Sequence, residues 1–136
     1  MPAPDRVKGH GMRADLKAAC RPLGVVQRFV LREHLWQLES MLGPAETVRI
    51  MASGWWRGHR ALIAVTSGRL LLVRGTPQYA ATADATVALG SISHLSVHAS
   101  PPCGARFRVG VGLDLEEFSV ARHSGPVERA LRESLR

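Results

Sequence analysis

The sequence predicts an α+β, mainly β domain: a partly closed antiparallel barrel of about seven short strands, preceded by one helix and capped by a C-terminal helix. Three observations predict this fold class. Apolar residues recur at helical spacing up to the pair Gly43-Pro44, alternate with polar residues from Glu46 to about residue 121, and return to helical spacing after Ser124. Turn residues between the alternating stretches indicate hairpins, and therefore an antiparallel sheet. A chain of 136 residues is long enough for one such domain.

Residues 1–24 are predicted to form a polar tail, because proline and glycine recur among polar residues there. A helical turn or two at Arg13–Cys20 is the regular structure expected in this tail. The domain is predicted to span 25–136 and to begin with a helix over 25–42, which a Gly-Pro pair ends. The apolar residues of this helix lie on one face: Leu31, Leu35, Leu38 and Leu42.

The predicted strands lie within residues 46–121. The first, ETVRIMAS, places Val48, Ile50 and Ala52 on one face. The stretch RLLLVR follows the turn Ser67-Gly68 and is almost continuously apolar, which indicates a strand that is buried on both faces. Shorter stretches complete the predicted sheet: RALIAVTS, TVAL, ISHLSVH, ARFRVGVG and LEEFSVA.

A closing helix is predicted over 124–135. Ser124 is a suitable N-cap, and Pro126 falls in the first turn, where its missing N–H has no helical partner to lose. One face of this helix is apolar, and we expect it to pack against the strands near Phe107 or Phe118. The apolar residues of that face are Val127, Leu131 and Leu135.

The chain is basic, with 18 Lys and Arg residues against 11 Asp and Glu residues and a formal net charge of +7. The basic residues are spread along the chain and form no long run of the kind that marks a nucleic-acid-binding tail. Cys20 and Cys103 form neither a CxxC motif nor a disulfide framework, which favours a reducing, cytoplasmic location. No apolar run approaches the ~18 residues that a membrane span requires.

Several motifs follow one another in a recognisable order. Leu42, Gly43 and Glu46 end the first helix, with Pro44-Ala45 inserted between them. The hairpin RALIAVTSGRLLLV comes next, then VALGSISHLSV, then a hairpin FRVGV…EEFSV and the terminal helix. This order resembles the bacterial pleckstrin-homology-like (PH-like) domains, in particular the YokE-like group, with its L-x-x-G-E turn and its T-x-x-R-L hairpin.

The resemblance covers about residues 35–136 and implies a PH-like fold. The hairpin pattern is matched by Ile63–Thr66 and by Arg69, Leu70, Leu71 and Val73, and the following strands by Val87, Leu89, Ile92, Leu95 and Val97. Relatives of this kind bind lipid headgroups, peptides or other copies of themselves. The resemblance therefore implies an interaction module rather than an enzyme.

No catalytic, metal or cofactor site is predicted. His94 and His98 are four residues apart on a predicted strand, which separates them by about 13 Å, too far for one zinc ion. Glu116 and Glu117 are adjacent on a strand and point to opposite faces, so they cannot act together as acid and base. The sequence has no nucleophile motif and no Gly-rich phosphate loop, and the chain is predicted not to be an enzyme.

The stretch GWWRGHR is the candidate binding site. In the fold implied by the resemblance it connects the first two strands, where many PH domains hold an anionic headgroup. Arginine can donate two N–H groups to a phosphate, and tryptophan favours the headgroup layer of a bilayer. The candidate ligand-binding residues are Trp55, Trp56, Arg57, His59 and Arg60.

A lid over the core is the other interpretation of GWWRGHR. Neighbouring residues in an extended chain face opposite sides, so the two tryptophans cannot both face a ligand. We therefore expect one tryptophan to close the core and the other to be exposed beside Arg57 and Arg60.

The expected partner is a protein, a second copy of the chain, or an anionic headgroup. Two arginines contribute only about 1 kcal/mol each near an anionic membrane, so one copy is expected to make weak peripheral contact only. The alternative function is that of a small basic nucleic-acid-associated protein, which requires a clustered basic face. The sequence leaves open whether Arg57 and Arg60 converge with Arg106 and Arg108, and the even spread of charge ranks this alternative second.

Overall fold

The computed structural model of the protein describes residues 14–24, 30–74, 85–100, 104–122 and 124–135. In these residues three α-helices accompany seven strands. The helices are α1 (Ala14–Ala19), α2 (Arg32–Met41) and α3 (Ser124–Glu133), with short 3-10 turns at Arg21–Leu23 and Leu89–Ser91. The strands are β1 (Val48–Trp56), β2 (His59–Thr66), β3 (Arg69–Val73), β4 (Ala85–Ala88), β5 (His94–Ser100), β6 (Gly104–Val111) and β7 (Asp114–Val120).

The seven strands form one antiparallel sheet in the order β4-β3-β2-β1-β7-β6-β5. Its edge strands β4 and β5 do not pair with each other in the described residues, so the barrel is not closed. The two halves of the sheet are joined where Gly54–Trp56 of β1 pairs with Phe118–Val120 of β7. A Cβ on Gly54 would overlap the carbonyl group of Ser119, so this junction requires glycine. The predicted fold class, a partly closed antiparallel barrel with a helix before it and a helix after it, is confirmed.

The main core lies on the inner face of the sheet and contains the two core phenylalanines. The rings of Phe107 and Phe118 are stacked, with their centroids 5.0 Å apart. One face of α3 belongs to the same cluster, through Val127, Ala130 and Leu131. The predicted docking of the closing helix on the strands is therefore confirmed.

The C-terminal end of the closing helix differs from the prediction. Val127 and Leu131 are fully buried, but Leu135 is 37% exposed. The α-helix ends at Glu133, and Leu135 follows in a turn. Leu135 thus leaves the helical register that would have placed it on the buried face, and its predicted burial is wrong.

A second core lies on the outer face of the sheet, the face opposite the main core. There α1, the first 3-10 turn and α2 cover β1, β2 and β3, so that β3 is buried on both faces, as its apolar run predicted. The helical side contributes Leu16, Ala19, Cys20, Leu23, Leu31, Leu35 and Leu38, and the sheet contributes Val48, Met51, Leu62, Ala64, Leu71 and Val73.

The segment before α2 departs from the predicted polar tail. In residues 14–24 the apolar side chains fall at helical spacing and pack into the second core, while the carboxylate of Asp15 accepts a hydrogen bond of 2.8 Å from the backbone N–H of Val48. Residues 1–13 lie outside the described part of the chain, as do residues 25–29 of the predicted first helix. For those residues the tail and the helix start remain predictions, as do the limits of the domain.

The face assignment in β1 is wrong at one position. Val48 belongs to the second core, whereas Ala52 belongs to the main core and Ile50 packs against it. The register of β1 with β2 shifts between Val48 and Ile50, which marks a bulge. One extra residue in a strand reverses the alternation of side chains, so Val48 faces the helices.

A polar network ties α2 to the β2–β3 hairpin. The carboxylate of Glu46 accepts hydrogen bonds from Arg69 Nε at 2.8 Å, from Arg69 Nη2 at 2.6 Å and from Thr66 Oγ1 at 2.6 Å. Arg69 also donates to the carbonyl oxygen of Met41, at 2.7 Å. The hydrogen bond from Arg69, which outweighs the opposing effect of burial, and further bonds from Thr66 and Gly43 lower the pKa of Glu46 to about 2. Glu46, Thr66 and Arg69 are the polar residues of the motifs that resemble the PH-like pattern, and their role here is structural.

Candidate functional site

GWWRGHR forms the end of the β1–β2 hairpin. Trp55 pairs with Arg60 and Trp56 pairs with His59, so that only Arg57 and Gly58 lie outside the strands. Both turn residues have positive φ, 52° and 80°, as a type I′ turn requires. The predicted connection between two antiparallel strands is thus a tight turn that holds its flanking side chains in fixed register.

Trp56 is the inward tryptophan. Its side chain is 2% exposed and belongs to the main core. The indole Nε1–H donates a hydrogen bond to the carboxylate of Glu116 on β7. The guanidinium groups of Arg57 and Arg74 lie 4.8 and 5.5 Å from the centre of the Trp56 ring. Arg57 also lies 3.4 Å from the Glu116 carboxylate, so Trp56, Arg57 and Glu116 close the core at this hairpin.

Trp55 is the outward tryptophan and is 48% exposed. The guanidinium of Arg60, its partner across the strands, lies 5.2 Å from the centre of its ring. The predicted division between one core tryptophan and one exposed tryptophan is confirmed, but of the two arginines only Arg60 lies over the exposed ring, since Arg57 lies over Trp56. The alternation of β1 causes this division, because adjacent residues of a strand point to opposite faces.

A shallow depression of about 200 Å³ lies beside Trp55 on the outer face. Of the five sequence-predicted site residues, it brings together Trp55 and Arg57, whereas Trp56, His59 and Arg60 are not part of its lining. Residues of β6 and β7 that the sequence did not single out complete it. The full lining is Trp55, Arg57, Gly58, Arg106, Glu117, Phe118 and Ser119.

The charges around this depression are partly compensated. Arg108 donates a hydrogen bond of 2.6 Å to Glu117, which lowers the pKa of that carboxyl, and the positive charges of Arg108 and Arg106 lower it further. Arg57 is likewise held by Glu116. Arg60 and Arg106 form no ion pair in the described part of the chain, and they leave the outer face positive. Of the two arginine pairs whose convergence the sequence left open, Arg57 and Arg106 line this depression together, whereas Arg60 and Arg108 do not.

The described residues offer little for other chemistry. They contain no group of three or more His, Cys, Asp or Glu side chains that could hold a metal ion. Cys20 is buried in the second core. Across the same described ranges, no helix has the length and apolar character needed to cross a bilayer.

The sheet order, the closing helix and the position of the candidate hairpin together define a PH-like fold. The chain is similar to a PH domain from Shewanella amazonensis SB2B, with a TM-score of 0.50 and 13% identity over 74% of this chain and 93% of that one. It is also similar to a DUF1696-family protein with a PH domain from Shewanella loihica PV-4, with a TM-score of 0.52 and 14% identity over 78% of this chain and 93% of that one.

At such identities the likeness shows the fold alone. It confirms the bacterial PH-like architecture that the order of sequence motifs implied. No protein-family model matches the sequence, and no curated protein matches it.

Proposed function

We propose that this chain is a non-enzymatic interaction module that binds an anionic ligand through the outer side of its β1–β2 hairpin. The residues that carry the binding are Trp55, Arg57 and Arg60, with His59 at the edge. The ligand is an anionic headgroup or an acidic surface of a protein partner. The observation that carries the proposal is the division of the two tryptophans. Trp56 seals the core, whereas Trp55 belongs to neither core, is 48% exposed and has the Arg60 guanidinium 5.2 Å from the centre of its ring.

The backbone of the turn supports a functional role for Arg57. It is the one non-glycine residue with positive φ in the described part of the chain. A left-handed conformation costs an ordinary residue roughly 1–2 kcal/mol, and glycine or asparagine would avoid most of that cost. Strained residues of this kind cluster at binding sites. The Arg57 side chain contacts Trp56 and Glu116 and also lines the depression, so an arginine at this position can serve both the core and the outer face.

Vesicle binding tests the proposal. Wild-type protein and the double variant Arg57→Ala/Arg60→Ala are titrated with vesicles of phosphatidylcholine alone and with vesicles that also contain phosphatidylglycerol. At about 1 kcal/mol per arginine, the double variant should lose about 30-fold in affinity for the anionic vesicles at low salt. Its melting temperature should fall only slightly, because the Arg57–Glu116 ion pair that it removes involves a largely exposed arginine.

A matched charge control separates the hairpin from general basicity. Arg129→Ala/Arg132→Ala removes the same two charges from the exposed side of α3, away from the hairpin. An equal loss of binding in this control would assign the effect to net charge and refute the hairpin site. The proposal also fails if neither anionic vesicles nor a soluble polyanion such as heparin binds the wild-type protein.

Protein binding or self-association is the second candidate function, and a separate observation favours it. Leu113 at the β6–β7 turn is fully exposed, and Leu115 next to it on β7 is also exposed. Two leucines displayed on one hairpin offer apolar contact area to a protein. Sedimentation velocity over a range of concentrations tests the case of a second copy. Self-association is supported if the wild-type protein associates and the double variant Leu113→Ser/Leu115→Ser does not. A wild-type protein that is monomeric at every concentration excludes self-association.

A further inference from the structure

Five side chains form a row across the outer face of the sheet, perpendicular to the strands. The register pairs Arg60 with Trp55, Trp55 with Ser119, Ser119 with Arg106, and Arg106 with His98. Residues that pair directly across strands point to the same face, so the row runs over β2, β1, β7, β6 and β5 without interruption. At roughly 4.8 Å per strand, it is about 19 Å long.

The middle of this row is a slot. Ser119 is small, and its neighbours on either side, Trp55 and Arg106, are long, so the depression beside Trp55 lies above Ser119. Arg60 is the partner of Trp55 on β2, the strand on the other side of β1 from β7, and its guanidinium lies 5.2 Å from the centre of the indole ring. The indole is therefore in contact with a cation and still 48% exposed, and it lines the slot.

The dimensions of the slot suit a planar ring. Trp55 and Arg106 are two strands apart, so their backbones are separated by about 10 Å. A ring stacked between two flat groups needs about 7 Å between them, at roughly 3.5 Å per contact. The indole and the guanidinium are both flat and both stack on aromatic rings. The Ser119 hydroxyl and the Glu117 carboxylate lie at the slot, where they can hydrogen-bond to polar ring edges.

We propose that this slot binds one base of a single-stranded nucleic acid, with the base between Trp55 and Arg106 and the neighbouring phosphates on Arg60 and along the row. Basic grooves with a stacking aromatic bind single strands in this way. The proposal goes beyond the proposed function, since it places a nucleic-acid strand, a third kind of anion, on the same side of the hairpin. It adds two residues to the site, Arg106 and Ser119, which belong to β6 and β7.

The row favours a strand over three other anions. A bilayer surface is too broad to reach Ser119 between two long side chains. A duplex keeps its bases stacked inside, so none can enter the slot. A free nucleotide fits the slot but leaves the two ends of the row, Arg60 and the polar His98, without phosphates. A strand that crosses the sheet along the row contacts all of them.

The experiment compares probes of equal charge. Fluorescence anisotropy measures binding of the full-length protein to a short labelled oligothymidylate, to an abasic strand of the same length, and to an acidic peptide of the same charge. Oligothymidylate should bind about 5- to 150-fold more tightly than the abasic strand, the range that corresponds to one stacked base. It should also quench tryptophan fluorescence in the background Trp36→Phe, which removes the exposed tryptophan of α2.

Variants locate the effect. Ser119→Ile fills the slot without changing the charge, and isoleucine suits a strand position. Ser119→Ile and Trp55→Ala should each reduce oligothymidylate binding to the level of the abasic strand, while Arg106→Ala should weaken binding to both strands. Arg129→Ala and Trp36→Ala, which remove the same groups elsewhere, should leave binding unchanged. Far-ultraviolet circular dichroism verifies the fold of each variant. The quenching measurement does not depend on these variants, because its Trp36→Phe background leaves every residue of the slot unchanged.

Equal affinity of the wild-type protein for oligothymidylate and the abasic strand would overturn the proposal. The proposal would also be overturned if the acidic peptide bound as tightly as oligothymidylate and Ser119→Ile abolished that binding, because the occupant of the slot would then be a peptide. In either case, vesicle binding that still depends on Arg57 and Arg60 would leave the proposed function intact. Absence of binding to every anionic probe would overturn both.

Discussion

Glu46→Gln is expected to lower the free energy of unfolding by about 3 kcal/mol at neutral pH. In the folded protein the pKa of Glu46 is lowered from 4.5 to about 2, and each pKa unit corresponds to about 1.4 kcal/mol of preference for the charged form. The side chains of Glu46 and Arg69 are only 12% and 30% exposed, so solvent screening removes little of this interaction. Glutamine keeps the size of the side chain and an acceptor oxygen but loses the negative charge. The variant therefore lacks the part of the stabilisation that depends on the charge of Glu46.

The same group predicts a pH dependence. The folded-state pKa lies below the unfolded value, so the stabilisation is complete above about pH 5 and is lost as the pH falls from there to about 2. The difference in free energy of unfolding between wild type and Glu46→Gln should therefore shrink across that window. Urea denaturation at a series of pH values measures the free energy of unfolding of both proteins. Subtracting the value of the variant from that of the wild type removes the contributions of the other carboxylates.

A surface pair provides the control for this prediction. Glu128 and Arg132 form an i,i+4 ion pair of 2.8 Å on the exposed side of α3. Glu128→Gln should cost less than about 0.5 kcal/mol, as such pairs usually do. A Glu46→Gln variant that is no less stable than Glu128→Gln, or that keeps the wild-type pH dependence between pH 5 and 2, would show that the Glu46 network does not stabilise the fold.

Two further substitutions test the packing. Leu131→Ala should lower the free energy of unfolding by about 2–5 kcal/mol, because the Leu131 side chain is fully buried. Leu135→Ala should cost less than about 0.5 kcal/mol, because Leu135 lies past the end of the helix. Similar losses for the two variants in urea denaturation would contradict the docking of α3. Gly54→Ala should cost about 3 kcal/mol or more, since a Cβ would overlap the Ser119 carbonyl, and Gly90→Ala, with open space around it, should cost under about 0.5 kcal/mol. A Gly54→Ala protein with an unchanged melting temperature would mean that β1 and β7 are not in close contact.

Local sequence patterns were sufficient for the elements and for the two tryptophans. The period of apolar residues located the strands and the closing helix, and simple alternation predicted that Trp55 and Trp56 face opposite sides. These features depend only on residues that are close in the chain. The same local alternation failed at Val48, because a bulge is a change of pairing that the residues of a single strand do not reveal.

Long-range pairing explains what the sequence did not show. Trp55 meets Ser119 and Arg106 only because β1 pairs with β7, and nothing in the local pattern around residue 55 specifies a partner 64 positions later. The outward position of Arg106 could be read from the alternation of β6, but the slot beside it could not. A helical turn or two at Arg13–Cys20 was expected, and α1 lies there, but its packing against the sheet was missed for another reason. The buried residues of α1 are only Leu16 and Ala19, one of them small, and prolines and glycines surround the segment, so its apolar face gives a weak signal.

The second core also determines how the protein can be divided. With α1 and the following turn removed, a fragment that begins at residue 25 would present Met51, Leu62, Ala64, Leu71 and Val73 to water with only part of their cover. It would also lose the Asp15 carboxylate that accepts the first N–H of β1. A contiguous apolar sheet surface of this kind is a site for aggregation. Fragments made for expression or for fusion to other domains should therefore begin ahead of Ala14, even though the sequence in that region reads as a dispensable tail.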